Sequence, residues 1–332
     1  MKQAGPIIFL APLRGITDCV FRNAHARHFA GLDGAVAPFL STVEGRRIKP
    51  THLRDLLPEN NRLLPVTPQI LSKSAGRFLI LADGLAQIGC REVNWNLGCP
   101  FARIVKKGRG AGLLPFPDKV DAFLEEVVSG LPAGMRISVK TRLGRFTCRE
   151  IDELVPVFNR YPLAGVIIHP RTAAQMYGGQ VDLEAFERTA AQLRHTVVYN
   201  GDIFTAGDLI RISRRLPGID RWMIGRGIIA DPFLPARIRG RSFRKERQTE
   251  RFRAFHDDLL KGYESILSGP GHLLNKMKGL WSYFSMWLAD GRKILKRIHR
   301  LRRKEDYLEF VDSVFERRLQ WMMPDGGLEG SE

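Results

Sequence analysis

Residues 94–114 read NWNLGCPFARIVKKGRGAGLL and gather the side chains of this chain best suited to chemistry. Cys99 stands between Gly98 and Pro100, with Asn94 and Asn96 before it and a basic, glycine-rich loop after it. A thiol with an ordinary pKa of about 8.5 keeps its proton near neutrality and can act as a general acid. Asparagines two apart share one face of a strand, and their carboxamides can read a base edge that mixes donors and acceptors. Lys106, Lys107 and Arg109 offer charge to phosphates. Together these groups suit proton donation to a nucleobase within a nucleic acid, whereas a free cysteine alone is most often a small buried hydrophobe.

The two-residue spacing recurs at Lys140 and Arg142, and again at His169 and Arg171. Each pair ends a short apolar run. Such runs occupy residues 7–11, 34–38, 64–70, 92–96, 137–140, 165–169, 197–200 and 222–224. Amphipathic stretches lie between them. Residues 73–89 carry Phe78, Leu81, Leu85 and Ile88 at helical spacing, residues 117–128 open on Pro117 and Asp118, and residues 205–216 open on a capping threonine. Repeated strand–helix units require a parallel sheet, and about eight of them read as a (β/α)8 TIM barrel, with an open doubly wound sheet as the alternative. A barrel gathers the carboxyl ends of its strands on one face. There it would assemble Ala11-Pro12, Gln69, the two asparagines, both cationic pairs, Asn200-Gly201-Asp202 and Gly225-Arg226-Gly227. The last two clusters follow the seventh and eighth strands, where barrels hold phosphates on loop N–H groups, and Arg226 adds charge.

The chain has 332 residues, 52 Lys and Arg against 35 Asp and Glu, and a net charge of +17. That excess favours a polyanionic partner. No apolar run is long enough for a membrane span, and the short, proline-broken N-terminal stretch reads as a first strand. Four scattered cysteines without a C-x-x-C suggest neither a metal site nor a disulfide framework, and free thiols fit the cytoplasm. Beyond residue 241 the pattern becomes purely helical. Trp281, Phe284 and Leu288 form one stripe, and Ile294, Ile298 and Leu301 form another. Residues 1–241 are therefore expected to be the barrel, residues 242–323 a small helical bundle, and residues 324–332 a disordered tail. Cations crowd residues 292–304, Arg297 and Arg300 among them, and the apolar stripe turns them outward. Lys276 and Lys278 are expected to extend that surface.

Six segments resemble the tRNA-dihydrouridine synthases, flavoenzymes that reduce a uracil ring in RNA. They are LAPLRGITD (10–18), NWNLGCP (94–100), VKTRLG (139–144), HPRTAAQMYGG (169–179), YNGDI (199–203) and MIGRGIIADPFL (223–234), in the family's order and spacing. Leu13, Arg103 and Pro170 depart from it, standing where the family usually has methionine, lysine and glycine; Pro170 removes a backbone N–H beside His169. The resemblance implies a barrel with a helical RNA-binding domain, FMN as cofactor and NADPH as electron donor. It implies FMN contacts at Ala11, Pro12, Leu13, Gln69, Lys140, His169, Asn200, Gly201, Asp202, Gly225 and Arg226. A cation at Lys140 would stabilise the anionic reduced flavin; Arg142 is read either there or as an ion-pair residue on the rim. Cys99 becomes the proton donor to the base. Asn96, Arg103, Lys106, Lys107, Arg109, Arg171 and Tyr177 become RNA contacts, the tyrosine by stacking. A monomer acting on tRNA, without metal or membrane, is expected. The competing readings are an FMN barrel acting on a free pyrimidine and a catalytically silent RNA-binding barrel.

Overall fold

The computed structural model describes residues 5–42, 53–317 and 319–322. They fall into two compact units. The first comprises residues 1–14, 33–201 and 216–223; the second comprises residues 15–32, 202–215 and 224–332.

The strands are β1 (Ile7–Leu10), β2 (Gly34–Val36), β3 (Leu40–Ser41), β4 (Val66–Thr67), β5 (Gln69–Leu71), β6 (Glu92–Leu97), β7 (Arg136–Gly144), β8 (Val166–Thr172), β9 (Val197–Tyr199) and β10 (Arg221–Ile224). The order in the sheet is β3-β5-β6-β7-β8-β9-β10-β1-β2-β4. Its two ends belong together. β2 and β3 are consecutive stretches of one strand, β4 and β5 are consecutive stretches of the next, and β2 pairs with β4 as β3 pairs with β5. The sheet is thus an eight-stranded parallel barrel, as the strand–helix alternation predicts. Pro68 makes the break between β4 and β5, since it brings no N–H to the ladder, although its carbonyl accepts from Asn94 N at 2.8 Å.

Period-2 alternation divides each strand between helices and interior. On β6, Trp95 points outward and stacks on Phe123 of helix Pro117–Gly130, with ring centroids 3.9 Å apart. Phe78 of helix Ala75–Gln87 meets the same ring edge-on. Asn94 and Asn96 point the other way. The interior has two characters. Ala11, Val36, Ile167, Val198 and Met223 pack into an apolar cluster with Phe9 and Leu13. β5, β6 and β7 instead contribute Gln69, Asn94, Asn96, Ser138 and Lys140, brought into line by the registers Gln69↔Asn94, Asn94↔Ser138 and Asn96↔Lys140.

In the second unit, helices Cys19–His28, Lys245–Glu264, Pro270–Phe284, Gly291–Arg300 and Lys304–Glu316 are the main elements. Phe252, Phe255, Trp281 and Phe284 are fully buried at their centre. His256 Nε2 lies 2.7 Å from the buried Tyr307 hydroxyl, which accepts the Trp281 indole N–H at 2.9 Å. The stripe of Trp281, Phe284 and Leu288 is buried, as are Ile298 and Leu301, while Ile294 is half-buried. The basic segment is not one helix. It breaks at Leu301, so Arg302 and Arg303 lie in a turn between two helices. Among the described residues, no helix is long and apolar enough to cross a membrane. The expected tail, 324–332, lies outside the described residues.

Candidate active site

Cys99 follows β6 at the carboxyl edge of the barrel. A directional chain of hydrogen bonds sets its backbone. Ser138 Oγ donates to Glu92 Oε1 at 3.0 Å and accepts from Asn94 Nδ2 at 3.0 Å. Asn94 Oδ1 accepts from Gln69 Nε2, and Gln69 Oε1 accepts from Asn96 Nδ2, both at 2.8 Å. Asn96 Oδ1 then accepts the backbone N–H groups of Gly98 at 3.2 Å and Cys99 at 3.0 Å. The carboxylate can only accept, so each amide along the chain has one possible orientation. Asn96 therefore positions the cysteine loop and retains at most one N–H for a base. Gln69, fully buried, uses its oxygen and one of its N–H groups in the same chain.

Main-chain packing completes the loop. Ala111 N donates to Cys99 O at 3.1 Å. Gly110 has φ +54, and a Cβ there would meet Cys99 O at 2.9 Å and Cys99 Cβ at 3.0 Å. Only glycine combines that conformation with that approach.

The Cys99 side chain packs with Leu71, Ile104 and Phe39. Burial pushes the thiol pKa above its ordinary value; the Phe101 N–H and the charges of Arg142, Lys140 and Arg14 pull the other way and do not overcome it. The sulfur is thus a protonated acid at neutral pH. Beside it on β7, Lys140 is half-buried. Burial first, and the Arg142 charge second, lower its pKa to about 7. Among the described residues no carboxylate pairs with Lys140. A desolvated ammonium without a counter-ion is unfavourable by itself and favours an anion brought by a ligand.

Arg142 is 2 % exposed and bridges two loops, donating from Nε to Gly98 O at 3.1 Å and from Nη1 to Thr172 O at 2.8 Å. These two backbone carbonyls hold it between the segments. Its guanidinium carbon lies 5.5 Å from the ring centroid of Tyr177, which is 44 % exposed. His169, the register partner of Arg142, sits 6.3 Å from the same ring. Arg171 is corrected from an RNA contact to a buried clamp. It is 1 % exposed and donates to Gly178 O at 3.0 Å and Gly179 O at 2.6 Å.

Arg103, in the short helix Ala102–Val105, and Lys106 and Lys107 just after it are exposed, and Arg109 is half-buried. Ala11 is buried after β1, with Pro12 and Leu13 half-buried beside it. Asn200 Nδ2 donates to Met223 O at 2.8 Å, and Gly201 follows it, tight against the Tyr199 ring. In the second unit, Arg226 donates to Asp202 Oδ1 at 2.7 Å and lies over Phe204, directly after Gly225. Two further cations are corrected there. Lys276 donates to Asp18 Oδ2 at 2.6 Å and Gly15 O at 2.8 Å. Lys278, 8 % exposed, donates to Leu301 O at 2.5 Å and His299 O at 3.3 Å, closing the carboxyl end of helix Gly291–Arg300. Arg297 and Arg300 are exposed on that helix.

A sequence model of dihydrouridine synthases matches residues 9–318. The chain belongs to the dihydrouridine synthase family. A probable tRNA-dihydrouridine synthase of Rhodobacter capsulatus is 31% identical over 272 residues, spanning 80% of this chain and 81% of the relative. The tRNA-dihydrouridine(16) synthase of Ralstonia nicotianae is 28% identical over 248 residues, spanning 73% and 76%. A probable tRNA-dihydrouridine synthase of Staphylococcus aureus is 28% identical over 317 residues, spanning 92% and 90%. Histamine dehydrogenase from a Rhizobium species superposes with a TM-score of 0.54 at 11% identity, over 71% of this chain and 45% of its own, a likeness of fold.

Membership of the dihydrouridine synthase family makes the chain an oxidoreductase acting on a CH–CH bond of uridine. Its candidate site also holds groups the motifs did not single out. Ser138 shares the inward parity of Lys140 and Arg142, so strand periodicity could have found it. Glu92 shares the parity of Asn94 and Asn96 on β6 in the same way, whereas Arg14 carries no comparable sequence signal. Their roles come from contacts across strands and loops.

Proposed function

We propose that this protein is a tRNA-dihydrouridine synthase that uses FMN and NADPH to reduce the C5–C6 double bond of a uridine, with Cys99 as proton donor. One observation carries the reading: a buried, protonated thiol stands at the barrel edge beside Lys140, a half-buried lysine that is cationic below about pH 7 and that no carboxylate pairs among the described residues. That cation fits the anionic pyrimidine edge of a reduced flavin. When bound, FMN re-reduced by NADPH supplies the hydride for C6 of the uracil. Cys99 Sγ releases its proton to C5. Lys140 holds negative charge in place, and Gln69, His169 and the segment Ala11-Pro12-Leu13 bind the ring. In the first unit, Asn200 and Gly201 are assigned to the rest of the cofactor; in the second, Arg226, oriented by Asp202 and following Gly225, is suited to a phosphate.

Tyr177 stacks on the everted nucleotide, and Arg103, Lys106, Lys107 and Arg109 hold its flanking phosphates. Residues 1–241 form the catalytic domain and residues 242–323 the tRNA-binding domain, working as a monomer in the cytoplasm. The names of some relatives make position 16 the first to examine. The test is to map dihydrouridine in tRNA from cells lacking the gene and to restore it with purified protein. Dihydrouridine that persists at every position in those cells refutes the reading. Colourless purified protein would favour a silent RNA-binding barrel, and reduction of free uracil derivatives without tRNA binding would favour the free-pyrimidine enzyme.

Two predictions follow from the charges. Lys140 is cationic below about pH 7 and neutral above it. FMN affinity of the flavin-free protein should therefore weaken about tenfold from pH 6.5 to 8.5, and Lys140→Met should flatten that dependence. Fluorescence titration at each pH measures both. Arg297, Arg300 and Arg303 are exposed. Replacing all three with alanine should weaken tRNA binding and reduce the salt slope by about 2–3, with the flavin spectrum unchanged. An unaltered slope removes that helix and turn from the RNA surface.

A further inference from the structure

Arg171 lies inside the first unit, donates to two carbonyls of one loop, and touches His169 with its remaining terminal nitrogen. Nη1 of Arg171 is 3.3 Å from His169 Nε2. A guanidinium has no lone pair to offer, so in this contact it is the donor and Nε2 is the acceptor. Nε2 therefore carries no hydrogen, and the imidazole is neutral with its hydrogen on Nδ1.

The geometry of the guanidinium leaves it little freedom. Nε is committed to Gly178 O at 3.0 Å and Nη2 to Gly179 O at 2.6 Å, and the side chain is 1 % exposed. A planar fork held at two points fixes where its third nitrogen points. The same loop carries Tyr177, and Met176 before it has φ +51, a conformation costly for a residue with a side chain. Gln175 helps hold the loop start, its Oε1 accepting from Thr172 N at 2.7 Å.

We infer that Arg171 is a positioning residue that locks His169 as the neutral Nδ1–H tautomer and, with the same guanidinium, holds the Tyr177 loop in place. His169 then serves as a fixed hydrogen-bond donor through Nδ1, and the chemical proton is left to Cys99. The relevance to catalysis rests on the function proposed above; the tautomer does not.

Nitrogen-15 NMR of histidine-labelled protein near pH 8 tests this, with His169 assigned by its loss in His169→Gln. The expected wild-type pattern is a hydrogen on Nδ1 and a bare Nε2. Arg171→Gln should shift the population toward Nε2–H and raise amide exchange across residues 175–180 at least tenfold. Arg171→Lys, which keeps a cationic donor, should retain more of the Nδ1–H form. A wild-type ring with its hydrogen on Nε2, or doubly protonated, overturns the inference without recourse to any variant. An Arg171→Gln protein with the wild-type tautomer and wild-type exchange overturns it as well. Should the tautomer be as expected while no dihydrouridine forms, the functional reading fails and this one stands.

Discussion

Cys99→Ala is expected to bind flavin with unchanged affinity and absorption, and to lose about 10²–10⁴ in the rate of uridine reduction, the usual contribution of a positioned general acid. The flavin should still be reduced by NADPH, because the thiol is assigned only to the base. The loop should keep its shape. Asn96 holds the backbone N–H of residue 99, and Ala111 donates to its carbonyl, neither of which involves the sulfur. Rapid mixing of reduced enzyme with tRNA separates the two half-reactions. A wild-type rate of flavin reoxidation by tRNA in the alanine variant would falsify the acid role. Cys99→Ser should fall between the two, since a hydroxyl is a much weaker acid than a thiol.

The second large effect concerns stability. Asp231 is fully buried, and its carboxylate accepts from Arg237 Nη1 and from the Phe233 N–H at 3.0 Å. Arg237 also donates to Gln248 Oε1 at 3.1 Å, and Gln248 Nε2 donates to Phe243 O at 2.7 Å. The network ties residues 231–237 to the start of helix Lys245–Glu264. Arg237→Met should cost about 3–5 kcal/mol, because it leaves a desolvated carboxylate without its cation. Burial already raises the Asp231 pKa in spite of Arg237. Without the arginine it rises further, so the folded state holds the proton more tightly than the unfolded chain does. The destabilisation is therefore largest at neutral pH and shrinks as pH falls and the carboxyl protonates. Urea midpoints at pH 7 and pH 5 measure both parts. Asp231→Asn combined with Arg237→Met should recover part of the loss at pH 7, since no charge remains buried.

The barrel could be read from the sequence because each strand announces itself twice. Trp95 and Leu97 mark the outward face of β6 while Asn94 and Asn96 mark the inward one, and similar alternation sets apart Ser138, Lys140 and Arg142 on β7. The divided strands were not legible, since a ladder interrupted at Pro68 still reads as one apolar run. Partner choice was equally hidden. Periodicity places Lys278 among the cations of its helix, yet its amine reaches the carbonyls of Leu301 and His299, more than twenty residues onward. Arg171 illustrates the same limit, because spacing says which face it occupies but not that Gly178 and Gly179 wait there with acceptors. Grouping of residues 15–32 and 202–215 with the carboxyl-terminal helices likewise depends on packing, as where the ring of Tyr263 donates its hydroxyl proton to Asp18 Oδ1 at 2.8 Å.

Gly110 pressed against the main chain of Cys99 has an evolutionary corollary. The aim of the sulfur rests on that main-chain contact and on the buried Asn96 carboxamide behind the loop, not on the exposed side chains that follow it. Arg103, Lys106 and Lys107, proposed above as RNA contacts, take no part in that packing, so lineages can exchange them while the proposed acid stays where it is. Such an arrangement separates the part of the enzyme that must not drift from the part that can.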